Sequence, residues 1–229
     1  MDKLYVIKIG GNIIDDEEKL DQFLSAFSSI SEKRILVHGG GKLATELAQK
    51  LAIPQQMIQG RRVTDLETLK LVTMVYGGWI NKTIVARLQS KGVNALGLTG
   101  ADAGIIKAHK RIAGEADYGF AGDVDEVNAP LLFEFLERGL TPVVAPITHD
   151  GRGQLLNTNA DTIANSIAQA FSSRAEIHLI YCFEKEGVLG NIHDEASVIP
   201  QINSDNYHQL VDAGAIAGGM IPKIQNAIA

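Results

Sequence analysis

The sequence predicts an α/β fold built on a mainly parallel sheet, with helices on both faces in a three-layer α/β/α sandwich. The main observation is that short apolar runs of strand length alternate with longer stretches of helical periodicity along most of the chain. The second is a glycine-rich turn, "HGGGK", between an apolar run and a helical pattern, as at the ligand-binding edge of an open parallel sheet.

"LYVIKIG" reads as the first strand, and "DDEEKLDQFLSAFSSI" as a helix whose first turn carries acids that suit the positive end of its dipole. "RILVHGGG" is the next strand and turn. "KLATELAQKLAI" has helical spacing at Leu43, Leu47 and Leu51 and ends before Pro54. "DLETLKLVTMVYGGWINKTIVARLQSKG" is one long helical pattern interrupted by Gly77 and Gly78, which mark a kink, a break into two helices, or a close helix contact. "NALGLTG" is a strand and turn. Residues 104 to 128 read as a hairpin, after which "NAPLLFEFLERGLTP" returns to the sheet strand "TPVVAPIT". "DTIANSIAQAF" is helical, "EIHLIYCF" a strand, "INSDNYHQLVDAGAI" helical, and "GGMIPKIQNAIA" opens a last helix. A lobe boundary is expected near Ser172–Arg174, which divides the chain into residues 1–173 and 174–229.

The chain has 229 residues and a formal charge of −6, with acids and bases interspersed. That balance argues against a nucleic-acid or membrane surface but permits a small cationic pocket. A single cysteine, Cys182, excludes an intramolecular disulfide framework and suits a reducing cytoplasm. No apolar run reaches the roughly 18 residues of a membrane helix. With a strand opening near Leu4, no signal or transit peptide is expected.

Lys8 is costly in an apolar strand unless an anion pairs with it. Gly10 and Gly11 follow it, where a backbone approaches a ligand closely. Gly39, Gly40 and Gly41 present successive N–H groups at a helix N-terminus, a cradle for an anion. Arg61 and Arg62 in "GRRVTD" offer forked guanidinium donors for carboxylate or phosphate. "LNTNADT" gathers Asn157, Asn159 and Asp161 ahead of a helix, and "GGMIPK" brings Lys223. Each has a plainer reading when taken alone. Lys8 snorkels to solvent, the glycines make a tight turn, one arginine is a solvated charge, the Asn/Asp cluster caps a helix, and Lys223 lies on the surface. Their conjunction at the C-terminal ends of predicted parallel strands favours a ligand site. The Walker pattern is absent. The dinucleotide pattern matches formally at Gly39, Gly41 and Ala44 but lacks its distal acid, which leaves a NAD(P)-dependent oxidoreductase as a rival class. No histidine pair has metal-ligand spacing.

Together, "IKIGGNII", "LVHGGGK", "GRRVTD", "GGWINKTIVARL", "GLTGADAGIIKA", "GFAGDV", "LLNTNADTIA" and "GGMIPK" resemble the N-acetylglutamate kinases of the amino acid kinase superfamily over essentially the whole chain. The resemblance implies the carbamate kinase-like fold and phosphorylation of the side-chain carboxylate of N-acetyl-L-glutamate by ATP with Mg2+ held mainly through the nucleotide phosphates. It implies that Lys8 and Lys223 flank the phosphoryl group in flight, that Asp161 orients both lysines, and that Arg62 and Asn157 hold the substrate beside Gly39, Gly40 and Gly41. Gly10, Gly11, Tyr181, Phe183 and Gly187 are implied at the nucleotide. Residues 1–173 are implied to bind acylglutamate and to dimerise, and 174–229 to bind nucleotide. A homodimer is implied, with neither nucleic acid nor membrane as partner.

The sequence also departs from the family pattern. It stops at Ala229 inside the last helix, where a further strand is usual, so either the chain is cut short there or the nucleotide lobe has lost a part. Tyr181, Cys182 and Phe183 replace a "TDV"-like run, and Ala101 stands where lysine is commoner. No helix precedes the first strand, so neither arginine inhibition through such a helix nor a hexamer is expected. N-succinyl-L-glutamate and a 2-aminoadipate derivative are alternative substrates, and a catalytically inactive amino-acid sensor is a non-enzymatic alternative.

Overall fold

Strand β1 (Lys3–Ile9) lies between β11 (Glu176–Cys182) and β2 (Lys33–His38) and is parallel to both. The sheet continues through β8 (Thr141–Val144) to β5 (Ala95–Leu98), giving the order β11-β1-β2-β8-β5 with every pairing parallel. The computed structural model describes residues 2–58, 61–112, 116–183, 185–191, 193–216 and 224. They form two compact units, Met1–Cys182 and Phe183–Ala229.

Strand side chains alternate between the two faces, and the core divides accordingly. Ile7 and Ile9 of β1 and Leu36 of β2 pack with Leu20, Leu24 and Phe27 of helix α2 (Glu17–Ser28) and with Ala44 and Ala48 of α3 (Gly41–Lys50). Leu4, Val6, Ile35 and Val37 face the other way. They pack on Leu132 and Leu136 of α6 (Ala129–Glu137) and on Ile163, Ile167 and Phe171 of α7 (Ala160–Phe171). Helices therefore cover both faces of a mainly parallel sheet, as the alternation of elements predicts.

Helix starts follow local chemistry. Asp16 caps α2 by accepting from the Glu18 and Lys19 amides, and the short α1 (Gly11–Ile14) precedes it. Asn159 caps α7 by accepting from the Asp161 and Thr162 amides. The long helical pattern is neither broken nor sharply stopped at its glycines. Helix α4 (Leu66–Val72) runs through a π-helical segment, Thr73–Ile80, into α5 (Asn81–Ser90). The π turn holds Gly77, where an added Cβ would lie 3.2 Å from Thr99 Cγ2, so a tight contact accompanies the irregular turn.

The hairpin expected over residues 104 to 128 is β6 (Ile106–Lys110) and β7 (Ala121–Val127), antiparallel with a bulge after Lys107. With β9 (Ile147–His149) and β10 (Leu155–Thr158) they close on themselves in the order β10-β7-β6-β9. β3 (Met57–Ile58) and β4 (Arg61–Arg62) form a separate two-stranded ribbon.

β11 hydrogen-bonds along the whole of β1, so residues 176–182 belong to the first unit. The division between units falls after Cys182, beyond the boundary expected near residue 173. In the second unit, α8 (Ser204–Asp212) starts with a capping box of Asn203 and Asn206. Tyr207, Ile216 and Ile224 form a small apolar cluster there. The expected last helix, with Lys223, lies outside the described residues apart from Ile224. Among the described residues no helix is long and apolar enough to cross a membrane.

Candidate active site

The alternation that sends Leu4 and Val6 toward α7 sends Lys8 the same way. Lys8 Nζ meets Asp161 Oδ1 at 2.8 Å, and the two residues are only 8% and 9% exposed. Asp161 is in the first turn of α7, where the helix dipole favours a carboxylate. Lys8 therefore does not snorkel. Its charge is held by a buried partner at the C-terminal end of the sheet.

Beside this pair lies a cavity of about 240 Å³. Gly10, Gly11, Gly39, Gly40 and Gly41 line it together with Arg61, Arg62 and Tyr76. The first amides of α3 have no acceptor within the helix and are available to an anion. Gly40, the N-cap of α3, has φ +149, and an added Cβ would lie 2.3 Å from Ile80 Cδ1 and 3.1 Å from the Tyr76 ring. Only glycine fits both the backbone and the space. Gly122 is equally confined, since a Cβ there would lie 2.7 Å from Thr158 Oγ1.

The loop is braced from below by His38, which is fully buried. Its Nδ1–H donates to the Gly39 carbonyl at 2.8 Å, so Nε2 accepts from Asn81 Nδ2 at 3.1 Å. Asn81 also donates to the Val143 carbonyl at 2.9 Å, tying the loop to the start of α5 and to β8. Burial pulls the imidazole down from 6.5 to about 4, with Lys82 acting in the same direction.

Arg62 is buried and anchored. Its guanidinium donates to the Gly41 carbonyl and to Thr45 Oγ1, each at 2.9 Å, and to Gln55 Oε1. Arg61 is half-buried, and burial followed by the Arg111 charge lowers its pKa. Asn157 donates to Thr64 Oγ1 at 3.0 Å and lines the cavity with Thr158 and Asn159. The charged residues around the cavity are Lys8, Arg61, Arg62 and Asp161, a net positive environment suited to anionic reactants.

The profile of the amino acid kinase family matches residues 3–229. The chain belongs to the amino acid kinase family. It is 54% identical to the acetylglutamate kinase of Bacteroides fragilis over 99% of its own length and 87% of that protein. It is 56% identical to the acetylglutamate kinase of Cytophaga hutchinsonii over 99% of its length and 86% of that protein. Among solved structures it resembles smu.665 from Streptococcus mutans UA159, with TM-score 0.81 and 28% identity over 98% of this chain and 88% of that one.

In this amino acid kinase, one cavity collects Lys8, Asp161, Gly10, Gly11, Gly39, Gly40, Gly41, Arg62 and Asn157. The plainer capping reading holds for Asn159 alone, since Asn157 points elsewhere and Asp161 binds Lys8. Tyr181, in β11, is not part of the lining. Its hydroxyl donates to the Asp161 carbonyl at 3.3 Å, and burial raises its pKa. Phe183 and Gly187 belong to the second unit. Sequence reasoning missed Tyr76, the anchors Thr45 and Gln55, and the His38–Asn81 brace. No local pattern marks these residues, because each meets its partner through tertiary packing.

Two predictions follow from the loop. Gly40→Ala is expected to cost about 1–3 kcal/mol through backbone strain. It should also lower kcat/KM by about tenfold or more, as urea unfolding and turnover would show; unchanged values for both would refute the confinement. The His38 prediction concerns pH. The unfolded chain takes up a proton below about pH 6.5 that the folded chain resists until about pH 4. Stability is therefore present above that window and is lost as pH falls through it. The loss at pH 5 is about 2 kcal/mol. Urea unfolding at pH 7 and pH 5 should show wild type losing that much more than His38→Gln, and equal losses would contradict it.

Proposed function

We propose that the chain is an acetylglutamate kinase, a phosphotransferase that moves the γ-phosphoryl group of ATP to the side-chain carboxylate of N-acetyl-L-glutamate and releases ADP. The observation that carries this reading is the buried Lys8–Asp161 pair facing the glycine-lined wall of a net cationic cavity. The names of relatives at 54% and 56% identity support it.

The chemistry needs no general base. A side-chain carboxylate is already ionised at neutral pH. One of its oxygens attacks the γ-phosphorus, the bond from that phosphorus to the β–γ bridging oxygen breaks, and the electron pair leaves on ADP. The barrier arises from bringing an anionic nucleophile to an anionic phosphate, and fixed cations and N–H donors lower it electrostatically. Lys8 meets the transferred phosphoryl, Asp161 holds Lys8 in place, and Gly11 with Gly39, Gly40 and Gly41 offers amides. Arg62 grips the α-carboxylate of the substrate and Asn157 its amino acid part. Lys223 is proposed as the second flanking lysine, Gly10 joins Gly11 at the phosphates, and Tyr181, Phe183 and Gly187 are proposed at the nucleotide.

Mg2+ supplies neutralisation of phosphate charge. The ion would be held mainly through the nucleotide phosphates, since Mg2+ keeps several waters and takes few protein ligands. We also propose that the first unit, Met1–Cys182, binds acylglutamate and forms a homodimer, that the second, Phe183–Ala229, binds nucleotide, and that the enzyme acts in cytoplasmic arginine biosynthesis. The test is ADP release from MgATP with N-acetyl-L-glutamate, with the acyl phosphate trapped by hydroxylamine. Formation of the hydroxamate is the expected result. Binding of the acylglutamate with no turnover would favour the sensor.

A further inference from the structure

Arg61 and Arg62 both line the cavity, yet their surroundings differ. Arg62 is engaged by Gly41, Thr45 and Gln55. Arg61 is half-buried, and its side chain makes no hydrogen bond or ion pair among the described residues. The carboxylates within electrostatic reach of it are Asp123 and Asp161, and each already holds another cation. Arg111 Nη1 donates to Asp123 Oδ1 at 2.6 Å, and Lys8 Nζ lies 2.8 Å from Asp161 Oδ1. Arg111 adds a like charge nearby, and its guanidinium lies 5.5 Å from the Tyr118 ring centroid. A half-buried guanidinium placed this way has no counter-anion of its own among the described residues.

On the acylglutamate kinase reading, the substrate's anions are otherwise assigned. The α-carboxylate goes to Arg62, and the side-chain carboxylate, as nucleophile, goes to Lys8 and the glycine amides. Only the acyl group has no assigned partner. We infer that Arg61 is a specificity-determining residue that binds a carboxylate on the acyl group, so that the preferred substrate is an N-acylglutamate with a carboxylate-terminated acyl chain, of which N-succinyl-L-glutamate is the simplest test compound. This rests on the kinase reading above and keeps its reaction while changing the acyl group that the site prefers, N-acetyl-L-glutamate being the poorer substrate. The forked donor set of arginine suits such a terminal carboxylate.

The experiment measures kcat/KM of wild type and Arg61→Gln with N-succinyl- and N-acetyl-L-glutamate at saturating MgATP. Isothermal titration of each acylglutamate runs in parallel. The side chain makes no hydrogen bond or ion pair among the described residues, so the variant should fold, and its melting temperature checks this. Wild type should favour the succinyl substrate by about 10- to 100-fold, and Arg61→Gln should collapse that ratio by lowering kcat/KM for the succinyl substrate far more than for the acetyl one. Equal losses for both substrates would place Arg61 on a part common to both, and an acetyl preference in wild type would leave Arg61 without the proposed partner. Either result overturns the inference and leaves the kinase reading intact. Turnover with neither substrate removes the kinase reading. The titrations then still decide the inference, since tighter succinylglutamate binding that depends on Arg61 supports it and indifference to Arg61 overturns it.

Discussion

Lys8→Ala is expected to lower kcat by about 10²–10³, the usual effect of removing one preorganised donor from a charge-stabilising site. Lys8 is buried beside the glycine loop, and its ammonium lies 2.8 Å from Asp161 Oδ1. On the proposed mechanism the γ-phosphoryl group would gain charge contacts there that water supplies only after reorganising. Stability should also fall, because Asp161 loses a partner in a setting where it is only 9% exposed. That loss is expected to be about 1–3 kcal/mol. Lys8→Arg keeps the charge but changes its reach and shape, and should recover stability better than turnover. Turnover by ADP release and unfolding by urea separate the two effects. Wild-type kcat in a folded Lys8→Ala variant would remove Lys8 from the mechanism.

Arg62→Ala is expected to raise KM for the acylglutamate by about 10² or more, since truncating one partner of a desolvated, hydrogen-bonded charge pair costs about 2–5 kcal/mol. The side chain is held by Gly41, Thr45 and Gln55, so in the proposed role it would meet the substrate already oriented, with little ordering needed on binding. Its tie to the Gly41 carbonyl also links it to the glycine loop. Arg62→Lys retains charge without the fork and should recover only a small part of the affinity. The KM for ATP is expected to change far less. A variant with unchanged acylglutamate KM would show that the α-carboxylate is held elsewhere.

Much of the architecture was legible in residue patterns because its causes are local or periodic. Strand length, helical spacing and the acids after Asp16 anticipate β1, α2 and α3, and the two faces of the core follow from alternation along β1 and β2. The glycine pair at Gly77 and Gly78 was read as an interruption without its form. A π turn depends on how the helix packs against neighbours such as Thr99, which no propensity contains. The expected boundary near residue 173 marks a polar turn, whereas the units divide after Cys182 because the β11–β1 pairing is non-local.

The sequence by itself determined the parallel α/β framework, the family and the residue types able to meet anions: Lys8, the Gly39–Gly41 loop, the two arginines, Asn157 and Asp161. Only the tertiary structure decided which charges are already compensated. Lys8 faces Asp161, Arg62 faces three protein acceptors, and Asp123 faces Arg111, while Arg61 lines the same cavity without an acceptor among the described residues. The reason is physical. A side chain's chemistry is a local property, but its pairing, and so its availability to a ligand, depends on distances of a few ångströms between residues far apart in the chain.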